Sequence, residues 1–498
     1  MNDTTGETPV NQDTLFLDQE ACAAFGRANR DTLSRKDLSV WKTHKLTRDP
    51  IGWLLAQERY RIGEFVPLRH HRMAQSPLSF YRGSAIIMAN DLAGERPRTD
   101  LIVQLCGDAH LANFGLFAAP NRSVVFDIND FDETYKGPFE WDVYRLVTSF
   151  ELACRELEFS TSITSKITLR VGQSYREKMH QLSQLNEIDI WYECADERAL
   201  ETEVNALRGQ KGVQRLKGHL EKAHSREHRS AIEKLTEVVD GQRQFVHNPP
   251  LLIRVSSDGH IYDSTHRQYE EYQETLAGSS REVLQRYRVV DVAHKIVGVG
   301  SVGMAAYVYL LQGRHIDDVL LFQTKEATES VLAPFVPYEG PAHQGQRVIV
   351  GQRLIQAASD LFLGWVTGVP DSKGVSRHFY VRQLRDMKWA PDLATLDAKA
   401  LFTIAHLEGQ ALARAHARSG NSIAISGYLG KSTRFERSMQ AFGNLYAGQV
   451  EGDYEAFMNK IDEGEIEALD ENGIDTPDLT LRKGKKHKLK LRARGKTF

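Results

Sequence analysis

The chain has 498 residues, of which 41% are hydrophobic and 26% charged, and a formal net charge of −3. These are the values of a soluble globular protein, with room for two to four ordinary domains or one large bilobed unit with insertions. The longest apolar runs, Gly298 to Leu311 and Leu354 to Val366, are interrupted by polar residues and fall short of a membrane span, so no membrane contact is expected.

Residues 1 to about 45 read as irregular, and Met1 to Asp18 lacks the basic-then-apolar order of a signal peptide. Helix is expected around Trp53 to Arg61, and Arg69 to Arg72 reads as a solvated or ion-paired helix end. Phe80 to Leu92 follows Pro77 with a helical period. Leu101 to Cys106 is a short apolar strand running into Gly107-Asp108, and Val124 to Ile128 is another, ending at Asn129-Asp130. Trp141 to Leu157 is again helical, and 160 to 240 is largely helical and charged. Pro249-Pro250 breaks that region before a charged helix near 265 to 288. His294 to Leu311 and Val319 to Thr324 then read as a strand, a glycine-rich turn, a strand, a hairpin and a third strand. Gln352 to Trp365 is expected to be helical, His378 to Leu384 a strand, and Ala398 to Arg418 a long amphipathic helix.

The tail is unevenly charged. Glu451 to Asp478 carries eleven acids against one lysine, and Arg482 to Lys496 carries nine Lys/Arg and no acid. It reads as a solvated segment that folds back on the acidic stretch. With no RNA- or DNA-binding module beside it, nucleic acid is a side possibility confined to residues 482–496. Cys22, Cys106, Cys154 and Cys194 are far apart, in neither CxxC nor zinc-like spacing, as expected of reduced thiols in a cytoplasmic protein.

Chemistry concentrates in two segments. Gly107 to Gly115 (GDAHLANFG) sets Asp108 and Asn113 five residues apart between glycines. Phe126 to Glu133 (FDINDFDE) packs Asp127, Asp130, Asp132 and Glu133 among inward-looking apolar residues. Buried carboxylates that close together repel one another and cost several kcal/mol each unless cations neutralise them. Holding Mg²⁺ or moving protons are the usual reasons to keep them. Farther on, Gly298, Gly300 and Gly303 form a GxGxxG whose flanks are β-type, where a dinucleotide fold needs a helix. A glycine-rich hairpin tip with Lys325 on the next strand is the phosphate-covering arrangement of kinases.

GDAHLANFG resembles the catalytic loop of aminoglycoside-phosphotransferase-type kinases, H-G-D-x-H-x-x-N, with Cys106 where that family often has His. The resemblance implies a catalytic Asp108, its companion His110 and a metal-binding Asn113. NDFDE resembles the I-D-F-x-D of those kinases, implying that Asp130 holds Mg²⁺ and that Asp132, or Asp127, serves a second ion. Gly137 to Leu146 resembles the start of their next helix, in which an Asp braces the catalytic loop. Over most of its length the chain also resembles the bacterial DUF2252 family, through SPLSFYRG (76–83), GDAHLANFG, FDINDFDETYKGPFEWDVYRL, VVDVAHKIVGVGSVG (289–303), QTKEA (323–327), GQRVIVGQRLIQAASDLFLGW and YVRQLRDMK (380–388).

The order of parts departs from that of kinases, since here the acidic loops precede the glycine-rich turn and its lysine. The helix ending Ala411-Leu412-Ala413-Arg414-Ala415-His416 resembles the one that leads into the catalytic loop, yet it lies near the C-terminus. The expected fold is therefore α+β, a two-lobed protein-kinase-like fold that is circularly permuted. Its expected parts are an N-terminal extension (1–60), a catalytic-loop half (61–285) with a helical insert (160–285), a glycine-loop β-rich half (286–390), C-terminal helices (391–460) and the charged tail (461–498). After Lys325, none of Glu326, Glu329, Glu339 and Asp360 matches the helix Glu that orients a kinase lysine, so either a polar residue such as Gln352 or Gln356 orients it or the nucleotide sits differently. The expected activity is Mg²⁺-dependent phosphoryl transfer from ATP to an unknown small-molecule or protein hydroxyl. Two alternatives stay open: a nucleotide-binding pseudokinase and a metal-dependent phosphoesterase.

Overall fold

Alternation of side chains along three consecutive strands builds the larger sheet. Tyr309, Leu311 and Phe322 bury on one face with Tyr272, Phe362 and Val381, while Val308, Leu310 and Leu321 bury on the other with Ala293, Phe245 and Leu384. A computed structural model describes residues 18–41, 48–94, 97–225, 228–256, 260–296, 298, 300–368, 376–384 and 392–474.

Its strands are β1 (Ile102–Leu105), β2 (Phe114–Ala118), β3 (Val124–Ile128), β4 (Tyr135–Pro138), β5 (Thr236–Val239), β6 (Gln242–Phe245), β7 (Leu252–Arg254), β8 (Arg288–Lys295), β9 (Ala306–Gln312), β10 (Val319–Ala327), β11 (Gly364–Thr367) and β12 (His378–Gln383). β1 pairs with β4, β2 with β3 and β5 with β6, and a six-stranded sheet has the order β11-β12-β10-β9-β8-β7. Every pairing in that sheet is antiparallel, with Lys325 of β10 opposite Ala306 of β9 and Tyr380 of β12. The fold is α+β.

The small sheets carry the acidic segments and sit against the helical core. Helix Ala398–Ser419 is rich in Ala and Leu, and Asp397 caps it by accepting from Ala400 N at 2.7 Å. It lies so close to helix Thr161–Leu182 that a Cβ on Gly409 would stand 2.6 Å from Val171 O. The main hydrophobic cluster joins these helices to Glu140–Glu156 and Arg434–Asp462 through residues such as Val143, Phe150, Tyr175, Leu412 and Phe442.

Several local expectations are revised. Residues 19–32 form a helix where irregular chain was expected. Asp18 caps it, accepting from Ala21 N at 2.8 Å, and it packs against helix Ser422–Leu429. Phe80 to Leu92 divides at Ser84 into helices Pro77–Gly83 and Ala85–Ala93. Residues 160–285 are not wholly helical: they include β5 to β7, and β7 joins the main sheet. Gln352 to Trp365 is helical only to Ile355, where helix Gln344–Ile355 ends ahead of β11. Arg69 is ion-paired, one of the two readings of that helix end, but it and His70 are buried, both bonding Glu58 Oε1, at 3.0 and 2.6 Å. The four cysteines are free thiols. Among the described residues no helix is long and apolar enough to cross a membrane. The basic run 482–496 lies outside the described residues.

Candidate active site

β1 delivers the chain into Cys106 and Gly107, and Gly107 sets the course of the loop beyond it. Its φ of +84° is left-handed, and a Cβ there would stand 2.0 Å from Glu133 O. Glycine thus lets the two acidic segments touch. Asp142, in the first turn of helix Glu140–Glu156, accepts from Cys106 N at 2.7 Å and from Gly107 N at 3.0 Å. Behind it stands His416, with Nε2 3.3 Å from Asp142 Oδ2 and Nδ1 2.9 Å from Tyr175 Oη.

Beyond Gly107 the loop fixes its own groups. Asn113 Nδ2 donates to Asp108 O at 2.8 Å, which leaves Oδ1 as that side chain's acceptor. Asn129 N donates to Asn113 O at 2.9 Å, joining the two segments a second time. Asp108 Oδ1 receives Arg145 Nε at 2.6 Å. Arg145 in turn donates to Tyr81 O at 2.8 Å, and its guanidinium carbon lies 4.0 Å from the centre of the Tyr81 ring. Ala112 N donates to His110 Nδ1 at 3.2 Å, placing the ring proton on Nε2, 3.8 Å from Asp108 Oδ2. Burial, then the charges of Arg82 and Arg145, push the His110 pKa well below its ordinary value, so the ring is neutral.

The second segment meets the sheet. Lys325 Nζ pairs with Asp132 Oδ2, and Tyr380, opposite Lys325 in the register, donates to Asp132 Oδ1 at 2.8 Å. Burial opposes ionising either partner, but the attraction between them outweighs it, holding the Asp132 pKa low and raising that of Lys325. Arg347, on helix Gln344–Ile355, clamps the same segment by donating to Thr134 O at 2.6 Å and Asp132 O at 2.8 Å. Glu133 Oε2 accepts from Val331 N at 2.7 Å, and burial pushes its pKa up to about 7.

The glycine-rich turn joins β8 to β9 and is held at several points. Arg72 donates to Gly298 O at 2.5 Å, Arg61 to Val302 O at 2.6 Å and Ile62 N to Gly303 O at 2.7 Å. Ser301 Oγ reaches Asp132 Oδ2 at 3.5 Å. Between this turn, the acidic segment and the sheet lies a cavity of about 820 Å³, lined by Asp130, Gly298, Ser301, Gln323, Lys325 and Arg382, among others. That is the size of a small-molecule site. Among the described residues, five cations line it (Arg122, Lys234, Lys295, Lys325, Arg382) against two acids (Asp130, Asp360), a balance that favours an anionic ligand.

Thus Asp130, Gly298 and Lys325 meet on one cavity, with Asp132 bonded to Lys325. Asp108, His110 and Asn113 sit on the adjoining loop, and Gly300 and Gly303 lie in the turn. Asp127 is not brought there, its carboxylate being taken by Ala357 N at 3.1 Å and Ile128 N at 2.9 Å. Gln352 and Gln356 line the cavity but bond each other at 2.9 Å, and Asp132 supplies the charge beside Lys325. Sequence reasoning missed Arg145, Tyr380, Arg347 and Arg61. Two carried a signal: Arg145 lies three residues after Asp142 on one helix face, and Tyr380 shares a strand face with Arg382.

A family model described as "Uncharacterized protein conserved in bacteria (DUF2252)" matches residues 61–460. Comparison with curated proteins and with solved structures gave no match.

Proposed function

This chain belongs to the DUF2252 family, and we propose that it is a Mg²⁺-dependent, ATP-binding phosphotransferase whose kinase-like parts are circularly permuted. The observation that carries the reading is that Lys325, Gly298 and Asp130, remote in sequence, line one cavity.

Two further arrangements support it. β8, β9 and β10 are consecutive, with the glycine-rich turn between the first two, the lysine on the third and helix Gln344–Ile355 after it, which is the order of kinase phosphate-binding parts. Helix Ala398–Ser419 ends beside β1, where Gln104 N donates to Ser419 Oγ at 3.1 Å. In space that helix leads into the acidic loop, although in sequence it comes after it.

The donor set fits magnesium, since Asn113 Oδ1 and Asp130 offer hard oxygens. Among the described residues no group of three His, Cys, Asp or Glu is placed to hold a metal, but Mg²⁺ commonly takes one or two carboxylates and completes its shell with water and phosphate. Once bound, the ion would neutralise phosphate charge. Asp108 orients the acceptor hydroxyl and takes its proton on Oδ2, because Arg145 holds Oδ1. Neutral His110 directs its Nε2–H towards that oxygen. Backbone N–H groups of the glycine-rich turn cover the phosphates, and Lys325 neutralises them while Asp132 and Tyr380 fix its position.

A second reading, nucleotide binding without turnover, is favoured by the pairing of Lys325 with Asp132 rather than with an acid of the following helix. The test is calorimetric titration with ATP, with and without Mg²⁺. Binding should require Mg²⁺ and should be lost in Asp130→Ala and in Lys325→Ala. Undiminished binding in Asp130→Ala would sink the proposal, and tight binding with no transfer to any acceptor would select the second reading.

A further inference from the structure

Arg82 stands at the end of helix Pro77–Gly83, close to Asp108. The groups around it are already engaged. Arg145 takes Asp108 Oδ1, His110 is neutral, Tyr81 O accepts from Arg145, and Gly83 O accepts from Arg69 at 2.5 Å. The guanidinium of Arg82 itself has no hydrogen bond or ion pair among the described residues, and its Nε is buried without a partner. Asp108 and Glu156 are the acids that feel its charge, and Glu156 is exposed to solvent. Burial outweighs both and pulls the Arg82 pKa below its ordinary value. The glycine-rich turn passes over the same residue, since a Cβ on Gly300 would lie 3.5 Å from Arg82 O.

Asp108 and Arg145 cancel, so this end of the site keeps one uncompensated positive charge, largely withdrawn from water. Such a group is costly to the folded chain until an anion arrives. Its planar fork suits the oxygens of phosphate or carboxylate. We propose that Arg82 is an anion-binding residue that grips a phosphate- or carboxylate-class oxygen beside Asp108. That oxygen belongs either to an anionic acceptor or to the phosphoryl group being transferred. The naming of those two sources rests on the phosphotransferase reading; the binding of an anion does not.

The test uses the full chain and its Arg82→Gln and Arg82→Lys variants, titrated with inorganic phosphate alone and with a non-hydrolysable ATP analogue plus Mg²⁺ present. The native chain should bind phosphate, Arg82→Gln should weaken that binding at least tenfold, and Arg82→Lys should fall between them. Without ligand, Arg82→Gln should melt no lower than the native chain, because no hydrogen bond or ion pair among the described residues is lost and a buried charge is removed, whereas a structural brace would lower the midpoint. If the anion belongs to the acceptor, phosphate still binds after the analogue. If it is the transferred group, the analogue excludes phosphate, and Arg82→Gln weakens the analogue but not ADP. Equal phosphate and analogue affinities in Arg82→Gln and the native chain would overturn the proposal. Phosphate binding lost in Arg82→Gln, in a chain that never binds ATP, would sink the kinase reading and leave Arg82 in its role.

Discussion

At Asp142 one buried carboxylate accepts from two successive backbone N–H groups, those of Cys106 and Gly107. Removing it leaves both donors buried and unsatisfied, at about 1–3 kcal/mol each. Asp142→Ala should therefore lose about 3 kcal/mol in denaturant unfolding, and Asp142→Asn, which keeps one acceptor, about half as much; an unchanged midpoint in Asp142→Ala would mean that Asp142 is no brace. Glu133 makes the opposite kind of contribution. Its folded-state pKa of about 7 lies above the ordinary carboxyl value, so between about pH 4.5 and 7 the folded chain holds a proton that the unfolded chain has released. Stability therefore falls as pH rises through that window, by at most about 1.4 kcal/mol per pH unit, and levels off above it. Glu133→Gln keeps an acceptor for Val331 N and should abolish this slope; parallel pH–stability curves for the two chains would contradict the assignment.

Two elements are held by contacts that no neighbouring residue advertises. Gly107→Ala should drive the acidic segments apart, since its Cβ would meet Glu133 O at 2.0 Å and its φ is left-handed. The expected result is a lowered melting temperature together with lost ATP binding. The glycine-rich turn is latched by Arg61 and Ile62, so Arg61→Ala should speed amide exchange in peptides covering residues 296–305 while leaving β9 protected. At this scale the sequence was readable wherever local pattern decides: strands ending in Gly107-Asp108 and Asn129-Asp130, and a β-type run broken by glycines before Lys325. It was opaque where packing decides. Helix Gln19–Thr32 has only a short stretch of small and apolar residues, Ala21 to Gly26, and owes its place to helix Ser422–Leu429. β7 spans three residues between β6 and a charged helix and is defined by its pairing with β8.

Across the whole molecule the Lys325–Asp132 pair links the six-stranded sheet to the acidic segment. No local spacing could have matched them, because the two residues belong to different motifs and meet only through the fold. The acid beside Lys325 therefore stands on a loop nearly two hundred residues upstream, not on the helix after the lysine. Breaking a buried pair from one side leaves an uncompensated charge, at about 3–5 kcal/mol. Lys325→Met should lose that much stability, and Lys325→Met with Asp132→Asn should regain most of it, as read by denaturant unfolding, while neither binds ATP. Failure of the double variant to recover would mean that Lys325 contributes through something other than this charge.

His416 behind Asp142, and Ser419 beside Gln104, also bear on how the protein is born. The acidic loop leaves the ribosome before the helix that supports it from behind, which comes about 300 residues later, about 15 to 60 seconds at ordinary synthesis rates. Throughout that interval the loop has its aspartates and not its backing. Chains that stop before residues 398–419 would thus carry both acidic segments and still be unable to hold them in place, so that the candidate site is assembled only once that helix has been made.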